Sequence, residues 1–207
     1  QPASSALVSL AQMNIPDKAR KEYEKAGKAM QAGNWAEARL RLQSAIAIYP
    51  QFAAAWNDLG VVHMNQGERE PARTAFRKAI EFDPNYARAH RNLAMLTFSE
   101  GQNDEAVTLL EKALTSDPLD PQALALMAQL QLLTGKIEEA LANARKVHGV
   151  PHEGQAVAHY IAARALEVRN LSEEAAAEYR LFLQEAPNSP SAPKARAALD
   201  KLTTRAN

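Results

Sequence analysis

The chain contains no cysteine, which excludes disulfide bonds, thiol catalysis and cysteine-ligated metal sites. It also has no excess of charge of either sign, because 24 lysine and arginine residues balance 24 aspartate and glutamate residues. Without a basic run that could follow a phosphate backbone, nucleic acid is not expected as the main partner. No apolar run reaches the ~18 residues that a membrane-spanning helix needs, so membrane insertion is not expected either.

Familiar catalytic and metal-binding motifs are missing from the sequence as well. It has no GxxxxGK[ST] loop, no GxSxG elbow and no HExxH helix. His148 and His152 have the four-residue spacing of helical zinc ligands, but Gly149 and Pro151 between them interrupt a helix. The sequence therefore predicts no catalytic residue, no metal site and no cofactor.

The feature that the chain does have is a repeat with a period of 34 residues. Its markers are glycines at one phase and prolines half a period away: Gly33, Gly67, Gly101 and Gly135, then Pro50, Pro84 and Pro118. A glycine at each of these places would let the first helix of a repeat end in the left-handed conformation, and Asn170 takes that place in the last repeat. The prolines would end the second helices, since proline cannot continue a helix interior. A fixed period of this kind predicts one helix-turn-helix unit copied along the chain.

Small residues recur at the eighth and twentieth positions of each unit, where two helices would face each other at close range. They are Ala26, Gly60, Ala94, Ala128 and Ala163 at the eighth position, and Ala38, Ala72, Ala106, Ala140 and Ala175 at the twentieth. With the spaced glycines and prolines, these residues resemble the tetratricopeptide repeat family of bacterial proteins. The resemblance implies an all-α fold, a right-handed α-solenoid of about five helix-turn-helix repeats plus a C-terminal capping helix.

The phase of the repeat also predicts the domain boundaries. Five units are expected at 19–52, 53–86, 87–120, 121–155 and 156–187. Residues 1–18 would form an N-terminal arm or a linker remnant. Residues 188–207 would form the capping helix and tail, with Ala195, Ala198, Leu199 and Leu202 on one apolar face.

A binding groove follows from the resemblance, because the first helices of tetratricopeptide repeats line a concave surface. The second, fifth, ninth and twelfth positions of each unit are implied to face it. The candidate peptide-binding residues are Tyr23, Asn57, Val61, Met64, Arg88, Arg91, Met95 and Phe98. Methionine and phenylalanine side chains beside hydrogen-bond donors would suit an extended or helical peptide that has apolar anchors and a carboxylate.

One known use of this groove in the family is to bind the C-terminal carboxylate of a chaperone through lysine and asparagine. The corresponding places here hold Tyr23, Gly27, Asp58, Arg88 and Asn92, and four of the five do not match. That particular function is therefore not expected.

The sequence thus predicts a non-catalytic scaffold that binds a protein or peptide partner in the concave groove. Two alternatives stay open: a self-associating subunit of an envelope or secretion assembly, forming homo-oligomers, and a disfavoured small-molecule-binding protein or enzyme. The residues from Gln1 to Ala6 fit the start of a mature chain after signal-peptide cleavage, so export to the periplasm is expected. A cloning boundary would give the same start, and a cytoplasmic location is the alternative.

Overall fold

The computed structural model describes residues 15–149 and 156–205, and within these ranges all regular structure is α-helical. Most of the predicted N-terminal arm, residues 1–14, lies outside the described residues, as does His152. The helices are α1 Asp17–Gln31, α2 Trp35–Ile48, α3 Ala53–Asn65, α4 Arg69–Phe82, α5 Ala87–Ser99, α6 Asn103–Ser116, α7 Pro121–Leu133, α8 Ile137–His148, α9 Ala156–Val168, α10 Ser172–Glu185 and α11 Ala192–Arg205. The all-α prediction is confirmed. None of the helices in the described ranges is long and apolar enough to cross a membrane.

The chain divides into two compact units, Gln1–Ser116 and Asp117–Asn207. In the first unit, α1 pairs with α2, α3 with α4 and α5 with α6, and each hairpin packs on the next through α2 with α3 and α4 with α5. In the second unit, α7 pairs with α8 and α9 with α10, and the two hairpins meet through α8 with α9 and α7 with α9. Each unit is therefore a stack of helix hairpins.

The turn inside each hairpin has the conformation that the spaced glycines predict. Gly33, Gly67, Gly101 and Gly135 have positive φ angles of 70°, 77°, 79° and 77°, and Asn170 has a φ of 59°. A residue with a Cβ atom is strained in this left-handed region, and asparagine tolerates it better than most. The period in the sequence thus marks the ends of the first helices.

Close helix contact explains a small residue at the eighth position. Gly60 on α3 faces the ring of Phe76 on α4, and a methyl group at Gly60 would overlap that ring. Phe76 is fully buried, so the ring has no free space to move into. In the second unit, Ala163 on α9 and Tyr179 on α10 hold the same places of the repeat, and both are fully buried.

The C-terminal helix α11 covers the end of the second unit. Ala192, Ala195 and Leu202 are buried and join Phe182 of α10 in one apolar cluster, with Ala198 and Leu199 half-buried against it. This is the face that the sequence predicts, and the capping helix is confirmed.

Candidate functional site

Four polar side chains from three successive first helices form a hydrogen-bonded row on the first unit. The Tyr23 hydroxyl of α1 donates to Asp58 Oδ2 of α3 at 2.6 Å. The neighbouring Asn57 amide donates to Asp58 Oδ1 at 3.0 Å. Asn92 of α5 donates its amide to Asn57 Oδ1 at 2.9 Å. Tyr23, Asp58, Asn57 and Asn92 are called the polar row below, and they connect α1, α3 and α5.

The polar row is a direct consequence of the repeat. Tyr23 and Asn57 both hold the fifth position of their units, and Asp58 and Asn92 both hold the sixth. Equivalent positions of stacked repeats lie side by side, so polar residues at adjacent phases meet across helices. Asn57 is 2% exposed, and an amide with so little access to water needs the partners that the row provides.

Burial is the largest cause of the pKa shifts at the polar row. Burial raises the pKa of the half-buried Asp58, while hydrogen bonds from Tyr23 and Asn57 and the charge of Arg88 oppose the rise. Burial, and then the charge of Asp58, raise the pKa of Tyr23 far above its ordinary value. The same two causes raise the pKa of Tyr86. Both phenols therefore stay protonated, and Tyr23 acts as a fixed donor to the carboxylate.

Apolar side chains continue the same helix faces toward their C-terminal ends. Val61 and Met64 follow Asn57 on α3 by four and seven residues, and Met95 and Phe98 follow Arg91 on α5 in the same way. Residues at these spacings share one face of a helix. Met95 is 46% exposed, whereas the other three apolar side chains are half-buried. We call Val61, Met64, Met95 and Phe98 the apolar strip.

The structure brings together some of the predicted groove residues and adds others. Tyr23 and Asn57 join the polar row through Asp58, Arg88 is exposed beside them, and Arg91 is half-buried on α5. Their role in peptide binding stays a prediction. Asp58 and Asn92 were not among the groove candidates. The sequence signal that could have found them is the polar residue at the sixth position of two successive units, directly after the fifth position.

The corresponding face of α9 in the second unit has polar groups that bind one another. The Tyr179 hydroxyl donates to Glu167 Oε2 at 2.8 Å, and Arg164 forms an ion pair with Glu167 at 3.6 Å. A hydrogen bond with Tyr160 is the largest cause that raises the pKa of Arg164. The first unit has the exposed Arg88 and the apolar strip beside its hydrogen-bonded groups, and so it is the stronger candidate for recognition.

Solved structures of other proteins share this fold. PilF of Pseudomonas aeruginosa is 21% identical, with a TM-score of 0.76 and an alignment that covers 91% of this chain and 90% of that one. The tetratricopeptide protein TTC0263 of Thermus thermophilus is 17% identical, with a TM-score of 0.64 and coverage of 87% and 98%. MamA of Desulfovibrio magneticus RS-1 is 18% identical, with a TM-score of 0.67 and coverage of 86% and 99%. The tetratricopeptide solenoid class is confirmed.

Family membership rests on the sequence. The search of curated proteins gives no match. A family model described as "Cytochrome c-type biogenesis protein H TPR domain" matches residues 7–152, well over half of the chain. A repeat fold of this kind is generally a non-catalytic protein-interaction scaffold. The chain belongs to the family of cytochrome c-type biogenesis protein H TPR domains.

Proposed function

We propose that the first unit binds a polypeptide segment, extended or helical, during the biogenesis of c-type cytochromes. The observation that carries the proposal is the polar row lying beside the apolar strip on α3 and α5. The family description supports the pathway.

The two parts of the groove supply different kinds of contact. Arg88 is exposed next to the half-buried Asp58, so its guanidinium can pair with a carboxylate of the ligand. Met64 and Met95 offer flexible apolar surface that adapts to several side chains, and Phe98 adds a rigid aromatic ring. A ligand crossing α3 and α5 would meet hydrogen-bonding groups along one edge and apolar groups along the other.

A c-type cytochrome polypeptide that has not yet folded fits these requirements. Such a chain exposes apolar side chains and unpaired backbone groups, which a folded cytochrome would bury. Binding would also keep apolar segments from associating with one another. We therefore propose an unfolded apocytochrome segment as the ligand class.

Overlapping fluorescent peptides that span an apocytochrome c test the proposal by anisotropy. At least one peptide should bind the protein saturably. The double variant Arg91→Glu with Met95→Glu should weaken its affinity at least about tenfold, since it reverses a charge and places a carboxylate on the apolar strip. Circular dichroism should show unchanged helix content, because Met95 is exposed and Arg91 is half-buried.

A matched control makes the same chemical change elsewhere on the first unit. Leu40 on α2 is 60% exposed and Arg69 begins α4, so Leu40→Glu with Arg69→Glu replaces one apolar and one basic residue outside the groove. This control should bind the peptide as tightly as the unchanged protein. Equal binding by the groove variant, or equal loss in the control, would contradict the site.

Self-association is a second candidate, and one observation in the second unit favours it. Leu133 at the end of α7 and Val168 at the end of α9 are 63% and 55% exposed, at the same position of successive repeats. Equivalent positions of stacked repeats lie side by side, so these two side chains would form one apolar patch of the kind that marks a contact surface. Light scattering behind a sizing column should show a concentration-dependent dimer that Leu133→Glu abolishes. A monomer at every concentration would exclude this candidate.

A further inference from the structure

Three side chains of metal-ligand type converge in the second unit from three different helices. His148 is the last residue of α8, His159 lies on α9 and Glu178 lies on α10. One ligand atom from each residue lies within 4.8 Å of the other two. Glu178 Oε2 is 2.6 Å from His159 Nδ1, and the two imidazole rings stack with centroids 4.0 Å apart and planes at 25°.

We propose that His148, His159 and Glu178 bind a divalent transition-metal ion, with Zn²⁺ as the reference ion. Two neutral imidazoles and one carboxylate form a recognised three-ligand zinc set that leaves the fourth position to water. Glu185 Oε1 lies 3.6 Å from His159 Nε2, on the other nitrogen of the ring, where a second carboxylate can accept the Nε2 proton and orient the imidazole. The proposal is independent of peptide binding by the first unit.

The ligand atoms are not yet at the distances of a metal-bound site and would move when an ion binds. Ligand atoms in a tetrahedral zinc site with bonds of about 2.0 to 2.2 Å lie roughly 3.4 Å apart. His159 Nδ1 and Glu178 Oε2, now 2.6 Å apart, would therefore separate by about 0.8 Å, and a ligand atom at the 4.8 Å limit would approach by about 1.4 Å. Because His159 and Glu178 already lie close together, the movement toward the ion falls to His148. Its ring now stacks on that of His159, so it would have to turn out of this stack for both imidazoles to direct a nitrogen at one ion.

Burial makes metal binding more favourable at this cluster than at a pair of ligands exposed on the surface. His159 is buried and both Glu178 and His148 are half-buried, so water competes less for the ion than it does at an exposed cluster. A metal would also join the end of α8 to α9 and α10. Binding to the folded chain alone would then raise its thermal stability.

The first unit contains a natural control for the cluster. His63 Nδ1 lies 2.5 Å from Glu68 Oε2, which reproduces the contact between His159 and Glu178. Arg39 binds the same Glu68 carboxylate at 3.2 Å, and the described residues place no third ligand there that would complete a metal site. A histidine and carboxylate pair alone should therefore not hold zinc.

Isothermal titration of the full chain with zinc chloride tests the proposal, after removal of any purification tag and of bound metal by a chelator. One equivalent of zinc should bind and raise the melting temperature, and Co²⁺ should give the visible absorption of a tetrahedral site. His148→Gln and Glu178→Gln should each weaken binding at least about tenfold. His63→Gln should bind zinc as the unchanged protein does.

The two ligand variants distinguish a site with ligands from three helices from one in which only two of the ligands bind the ion. Circular dichroism should confirm that both remain folded, as expected for half-buried positions. Weaker binding in both variants supports the site. Absence of saturable zinc binding would overturn the proposal, and so would loss in His148→Gln with full retention in Glu178→Gln.

Discussion

The polar row of the first unit and the cluster of His148, His159 and Glu178 in the second, called the histidine cluster here, are built from the same kind of repeat in different ways. In the polar row, Tyr23 meets Asp58 and Asn57 meets Asn92, so the fifth position of one unit meets the sixth position of the next unit twice. The histidine cluster instead joins the end of one helix to the interiors of two others. A repeat therefore predicts contacts that recur from unit to unit, whereas a site made from positions that do not recur is visible only in the folded structure.

Packing inside the hairpins shows the same contrast between the units. Gly60 faces Phe76 in the first unit, whereas Ala163 and Tyr179 hold the equivalent places in the second. The second unit thus accommodates a methyl group beside a large aromatic residue at these positions. In the first unit, the Phe76 ring occupies the volume that a methyl group at Gly60 would need.

The largest expected effect tests this difference in packing. Gly60→Ala should lower the free energy of unfolding by about 3 kcal/mol, because the added methyl group overlaps a buried ring. Urea unfolding followed by circular dichroism measures the change. Gly27→Ala is the control, since nothing lies within 4 Å of a Cβ atom at that helical glycine. The control should be stabilised by up to about 1 kcal/mol.

If Gly60→Ala is as stable as the unchanged protein, then α3 and α4 can move apart to admit a methyl group, as the equivalent hairpin of the second unit does. The two hairpins would then differ in their residues, but not in whether they can accept a methyl group at this position. Opposite signs for the two glycine variants would confirm that close helix approach is specific to Gly60.

The next effect tests whether the polar row stabilises the first unit. Asn57→Ala should cost about 2 kcal/mol, because it leaves the half-buried Asp58 with one donor fewer and removes the acceptor of Asn92. Asn143 is the control in the second unit, where its amide donates to Gln131 at 2.9 Å in a half-buried contact. Asn143→Ala should cost under about 1 kcal/mol.

Urea unfolding of both variants measures this difference as well. Equal losses in Asn57→Ala and Asn143→Ala would mean that the polar row stabilises no more than an ordinary side-chain hydrogen bond. The row would then be better explained by ligand recognition than by folding.

The sequence predicts the fold well because the period marks the physical limits of each helix. Gly101 and Asn170 end helices for conformational reasons that can be read from residue type. The groove is predicted less completely. Asp58 does not match a lysine and asparagine clamp, although its neighbours in space make it the centre of the polar row. His159 and Glu178 have no shared spacing with His148, so their meeting could not be predicted.

The smallest expected effect concerns the charge at the centre of the polar row. Burial raises the pKa of Asp58, so the folded chain holds this proton more tightly than the unfolded chain does. Between the ordinary value of 3.8 and the raised value, the folded state carries more protons at this site. The contribution of Asp58 to stability is therefore largest in acid and falls as the pH rises through that window.

Asp58→Asn removes this titration and keeps the shape of the side chain, while an amide donor replaces one of the two acceptor oxygens. The cost of that replacement does not depend on pH, so the pH dependence still reports the titration. Relative to the unchanged protein, the variant should become progressively more stable as the pH rises from about 3.5 to about 7.5. Glu22 and Glu68 have lowered pKa values and titrate in the opposite sense, but they are present in both chains and cancel in the difference. Urea unfolding at a series of pH values measures that difference. A difference that stays constant, or that shrinks as the pH rises, would mean that Tyr23, Asn57 and Arg88 compensate fully for burial of the charge.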